Sequence, residues 1–158
     1  MYLLEFTIGT PTTIKGRTGK PSKIKNFPFL NRLMVQTPIT RNSCKKHWET
    51  KILSAICSLD KPKKPLTKWY AEYIWYVPFT MDADNVSAGT KHINDALVKA
   101  GVIADDKLSM MGTTVVLRNG LMSEETIIPI HRFIKTSSTE KRVTVRISDK
   151  PFYDLVAR

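Results

Sequence analysis

The chain has 158 residues with 25 Lys+Arg against 14 Asp+Glu, a formal net charge of +11 and a pI near 9.8. That length is one domain's worth, and 42% hydrophobic with 25% charged residues excludes a disordered chain. No apolar run approaches the roughly 18–20 residues of a membrane span, and the opening MYLLEFTIG lacks a signal peptide's basic leader, so no membrane partner is expected and the expected location is the cytoplasm.

Residues 2–9 set Leu4, Phe6 and Ile8 against Leu3, Glu5 and Thr7, an alternation that predicts a strand. Residues 10–31 carry Pro11, Gly16, Gly19, Pro21 and Pro28 among Lys15, Arg17, Lys20, Lys23 and Lys25, the composition of a mobile basic loop. After Pro38, Thr40 or Asn42 can cap a helix to about Ser58, with Trp48, Ile52, Ala55 and Ile56 as its apolar stripe. DKPKKP follows as a stiff connection bearing Lys61, Lys63 and Lys64, because its prolines fix the backbone and its charges repel.

TKWYAEYIWYVPF predicts a core strand over about 68–77. Its aromatics suit cross-strand packing, and stacking on nucleic-acid bases is the alternative use. Residues 82–106 begin as an extended turn and become a helix over about 88–100, ended by Gly101 and burying Ile93, Leu97 and Ala100. LSMMGTTVVL and TIIPIHRFI are apolar enough for strands, with Asn119-Gly120 as a hairpin turn, and residues 108–126 read as a possible inserted hairpin. KRVTVRIS is a further alternating strand. Strands at both ends with two helices between them predict one α+β domain spanning 1–158: a mixed β-sheet with helices packed mainly on one face.

Cys44 and Cys57 do not form a CxxC, and His47, His92 and His131 have no zinc-like spacing to them, so both thiols are expected reduced and packed. The charge is uneven. Residues 1–70 hold 14 basic and 3 acidic side chains, net +11, whereas residues 71–111 hold 3 and 6, net −3. The basic part suits a polyanion-binding surface, with a merely solubilising surface as the alternative.

Most aspartates gather in 82–106. If the first acidic pair is extended, Asp82 and Asp84, two apart, point the same way and can share a hard cation such as Mg²⁺; an Asx turn is the alternative. Asp105 and Asp106 form a second pair after the helix, and otherwise serve as turn residues. A 13-residue helix climbs roughly 20 Å, and five extended residues return at most about 18 Å. The second pair therefore meets the first only if the helix leans across the site; otherwise it serves a partner subunit. Lys91, early in that helix, can reach a phosphate or the aspartates, or pair with Asp95 four residues on. Together these point to metal-assisted phosphodiester hydrolysis.

The spelling narrows the reading. Asp82-Ala83-Asp84-Asn85, then Lys91, then Asp95-Ala96-Leu97-Val98-Lys99-Ala100-Gly101 and Asp105-Asp106 resembles the core of the RusA-type Holliday junction resolvases, over about 25 of 158 residues. The resemblance implies a RusA-like fold and a homodimeric endodeoxyribonuclease using Mg²⁺, with Mn²⁺ as an alternative ion, that nicks opposing strands of a four-way DNA junction. It maps the metal-binding and catalytic aspartates onto Asp82, Asp84 and Asp106 and the catalytic lysine onto Lys91. The lysine stands about three residues further from Asp84 than in some members. Lys15, Arg17, Lys20, Lys23, Lys25, Lys61, Lys63 and Lys64 are the expected DNA contacts. The rivals are a non-catalytic branched-DNA binder and a metal-dependent nuclease for flaps or structured RNA.

Overall fold

The structure, a computed structural model, describes residues 1–9, 11–15, 21–26, 34, 36–78, 80, 82–137 and 140–152. It is an α+β domain. Its main sheet has four strands in the order β1 (Leu3–Gly9), β8 (Arg142–Ser148), β4 (Tyr70–Val77) and β7 (Ile130–Lys135). β8 runs antiparallel to both β1 and β4, whereas β4 and β7 are parallel, so the sheet is mixed.

The alternation in β1 does what period 2 requires: Leu4, Phe6 and Ile8 are buried while the residues between them are exposed. In register with them stand Ile147, Val145 and Val143 of β8, then Ala71, Tyr73 and Trp75 of β4. Two helices lie against this face, α1 (Pro38–Ile56) and α3 (Thr90–Lys99), giving Trp48, Ile52, Ile56, Ile93 and Leu97 to one continuous core. Trp69, just before β4, and Tyr73 and Trp75 within it are buried too, so these aromatics serve packing. Trp75 Nε1 donates to His131 Nδ1 at 3.0 Å, and burial lowers the pKa of that imidazole.

The opposite face of the sheet is polar. Glu72, 1% exposed, pairs with Arg146 at 2.8 Å and with Arg132, and Arg146 also reaches Glu5 at 3.0 Å. A buried carboxylate held between two guanidinium groups keeps its charge compensated.

Several expectations need correction. Within the expected 10–31 loop, β2 (Pro11–Lys15) and β3 (Pro21–Asn26) pair antiparallel as a hairpin. Short runs between Gly/Pro turns can pair, and composition alone does not register that. Lys15 ends β2, Lys23 and Lys25 belong to β3, and Arg17 and Lys20 lie outside the described residues. The cap of α1 is Thr37, whose Oγ1 accepts from Thr40 N, and Pro38 takes the first helical position, where its missing N–H costs nothing. Cys44 is buried as expected, but Cys57 is exposed because it falls at the end of α1, off its buried stripe.

Residues 108–126 form a 3₁₀ turn (Leu108–Met110) and then β5 (Thr113–Arg118) and β6 (Leu121–Thr126), a two-stranded sheet of its own. Asn119 and Gly120 both take positive φ, 50° and 77°, as a two-residue hairpin turn of the primed type requires. Val115, Leu117, Leu121 and Met122 on this hairpin are exposed.

Candidate active site

The acidic segment follows β4. Asp82 is the N-cap of a short helix, α2 (Ala83–Ser87), and its carbonyl accepts from Val86 N at 3.1 Å. Asp84 sits in the first helical turn, its Oδ1 accepting from Asn85 N at 2.9 Å. Asp82 keeps an extended backbone, but Asp84 is helical, so the two do not share the extended geometry that would point both side chains the same way. Aspartate favours the start of a helix, where exposed N–H groups and the dipole welcome negative charge, and here that preference wins over extension. Both residues are exposed.

The helix expected over about 88–100 is present but shorter, Thr90–Lys99, so α3 has ten residues and is about 15 Å long. Gly101 follows with φ +74°, a conformation only glycine adopts without strain. The shorter climb makes the return feasible. Residues 102–104 run beside Leu66, with Leu66 N donating to Val102 O and Ala104 N to Leu66 O, both at 2.9 Å. Trp69 Nε1 then clamps Asp105 O at 3.0 Å.

That path delivers Asp106 to Lys91. The lysine Nζ lies 3.0 Å from Asp106 Oδ2 and 2.8 Å from Asp95 Oδ1. Asp95 also accepts Lys45 of α1 at 3.2 Å. The hydrogen bonds that Lys91 donates to Asp95 and then to Asp106 raise its pKa. Burial opposes the charge on Asp95, but Lys91 and Lys45 outweigh it and hold that carboxyl below its usual range. Asp105 turns the other way, to Lys107 at 2.7 Å, which lowers its pKa. Beneath the cluster Tyr73 Oη donates to Asn94 Oδ1, and burial together with the Asp106 charge pushes the phenol pKa up.

Of the expected residues, Lys91 and Asp106 are brought together within one chain. Asp82, Asp84 and Asp106 are not gathered into one ligand set: among the described residues no group of three or more His, Cys, Asp or Glu side chains could hold a metal ion. Carboxylate oxygens are the right donors for Mg²⁺, so the donor chemistry fits the ion while the arrangement in this structure engages Asp106 with an ammonium. Lys61, Lys63 and Lys64 are exposed, beyond the C-terminal end of α1. At 19 residues that helix is roughly 28 Å long.

Asp95 and Lys45 were missed as site residues. The i,i+4 spacing of Lys91 and Asp95 carried the first signal; Lys45 had none, because only the packing of α1 on α3 brings it there. Beside the cluster a cleft of about 480 Å³ is lined by Arg41, Asn42, Lys45, Lys91, His92 and Asp95. No protein-family model matches the chain, and no curated protein matches it. Among the described residues no helix is long and apolar enough to cross a membrane.

Proposed function

We propose that this chain is a Mg²⁺-dependent, structure-specific endodeoxyribonuclease that resolves four-way DNA junctions by paired nicking, acting as a homodimer in the cytoplasm in DNA recombination and repair. The observation that carries this reading is the fold of residues 82–106, which sets the Lys91 ammonium on Asp106 at the edge of a basic cleft. A surface built only for solubility has no need to gather carboxylates and lysines at one cleft.

Asp82, Asp84 and Asp106 are the proposed ligands of Mg²⁺ or Mn²⁺, which when bound supplies Lewis acidity and lowers the pKa of a coordinated water. Lys91 stabilises charge on the phosphoryl oxygens. Its ammonium stays at the site through Asp95 when it turns from Asp106 to a phosphate, since the 2.8 Å pair is independent of Asp106.

The test is cleavage of a synthetic four-way junction beside a flap, a linear duplex and an RNA hairpin. Asp82→Asn should abolish Mg²⁺-dependent junction cleavage while junction binding in EDTA persists. Preference for the linear duplex would overturn the junction reading, and binding without cutting in either Mg²⁺ or Mn²⁺ would overturn the nuclease reading.

One observation favours a second reading, a non-catalytic binder of branched DNA. Asp106 and Asp95 are already engaged in ion pairs, which is how structural carboxylates are used. Persistent binding by wild-type protein with no cleavage of any substrate is what that reading expects.

A further inference from the structure

The two flanks of α1 carry charge differently. Toward α3 the charges are matched: Lys45 pairs with Asp95, and Glu49, the one carboxylate of α1, pairs with Lys99. At about 100° per residue, Lys46, His47, Thr50, Lys51 and Ser54 fall together on the other flank. Among the described residues, these same five line a groove of about 450 Å³.

No carboxylate stands among them. The chain has no Asp or Glu from Phe6 to Trp48, a run that holds nine Lys and Arg, and Glu49 is engaged across the helix with Lys99. Lys46 and Lys51 are exposed and, among the described residues, make no ion pair. Lys68, Lys91, Lys99 and Lys107, by contrast, each have a carboxylate within 3.3 Å. Two ammonium groups on one face repel unless an anion lies between them.

The neutral groups of the groove are held in place. His47 is half-buried and stands edge-on to the buried Trp48, ring centroids 5.3 Å apart, which fixes its imidazole at the wall. Thr50 gives its hydroxyl proton to Lys46 O at 2.9 Å, which leaves the ammonium groups, the imidazole and Ser54 as donors. A volume of about 450 Å³ lies within the range of small-ligand sites, about 300–1,000 Å³. Lysines with neutral donors and no opposing acid recognise phosphate as a point charge, which holds a nucleic-acid backbone without reading its sequence.

We infer that the groove on the outer flank of α1 is a phosphate-binding site that seats the backbone of the nucleic acid, with Lys46 and Lys51 as its cations. A helix's width, about 10–12 Å, separates it from the flank that carries Lys45. The identity of the occupant rests on the nuclease reading; the phosphate chemistry does not.

The experiment measures junction binding in EDTA against salt for wild type, the double variant Lys46→Gln/Lys51→Gln, its charge-keeping counterpart Lys46→Arg/Lys51→Arg, and the remote control Lys150→Gln. Glutamine and lysine have similar helix propensity, so the exposed positions on α1 tolerate the change. A parallel arm follows backbone amide shifts on adding inorganic pyrophosphate. The double glutamine variant should weaken binding about tenfold and lower the slope of log K against log salt by about one to two. The arginine variant should keep the slope, and Lys150→Gln should match wild type. Wild-type affinity and slope in the double glutamine variant, with wild type itself binding and cutting, would overturn the groove and leave the nuclease reading standing. An equal loss per charge in Lys150→Gln would also overturn it, since the chain's general field then accounts for the binding. If wild type neither binds nor cuts nucleic acid, the nuclease reading falls and the pyrophosphate arm decides. Shifts at Lys46, Lys51 and Ser54 then uphold a site for free phosphate compounds, and their absence overturns it.

Discussion

Asp95 is the residue on which the lysines of the site depend, because it holds both Lys91 and Lys45. Its side chain is 24% exposed and its partners are more so, which limits each pair to the modest strength of surface ion pairs. Asp95→Asn should therefore cost about 0.5–1.5 kcal/mol at pH 7 for the two pairs together. The carboxyl is held below its usual range in the folded chain, so its contribution is full above the unfolded value near 4 and is lost as pH falls through the lower folded value. Urea unfolding of wild type and Asp95→Asn should differ at pH 7 and converge below about pH 3; an undiminished difference in acid would contradict the ion-pair account. If Lys91 acts on the phosphate, the same change should slow junction cleavage about 10–100-fold through loss of positioning while binding in EDTA holds. The Lys91–Asp95 pair was readable from spacing alone. Asp82 and Asp84 were misread because a period-2 argument was applied to residues that begin a helix, where the same letters obey different geometry.

At the scale of elements, the strands β1, β4 and β8 were readable because alternation and aromatic density leave few other folds for them. Their neighbours in the sheet were not, since β8, last of the described strands, inserts between β1 and β4, and only its match to both faces selects that place. The segment carrying Asp106 depends on one close approach. A Cβ on Gly112 would stand 2.1 Å from the ring of Tyr70, which is itself buried and donates its hydroxyl to Thr113 O at 2.8 Å. Gly112 also gives its N–H to Trp69 O and accepts from Ile127 N, both at 2.7 Å, tying β4, the Asp106 return and the β5–β6 hairpin together. Gly112→Ala should destabilise the fold by about 1–3 kcal/mol, since Tyr70 can yield only by leaving its packed position. Thermal unfolding checks the cost. A stability equal to wild type would mean that Tyr70 is not held where the structure puts it.

At the scale of the whole molecule, the chain has one Lys91–Asp106 cluster, whereas paired incision of a four-way junction needs two sites related by a twofold axis. The proposed enzyme must therefore associate, and sedimentation at micromolar concentration should give about twice the 18.0 kDa chain mass. The net charge of +11 works against that association at low salt, because two like-charged copies repel over a Debye length of about 30 Å at 0.01 M but only about 10 Å at 0.1 M. The dimer fraction should then rise with salt while junction affinity falls with it, as counterion release demands. Opposite salt trends for the two equilibria are a signature that neither a monomeric nuclease nor a nonspecific aggregate produces. A strict monomer at every salt concentration, with and without junction, would leave paired nicking without a second site and reduce the activity to single incisions.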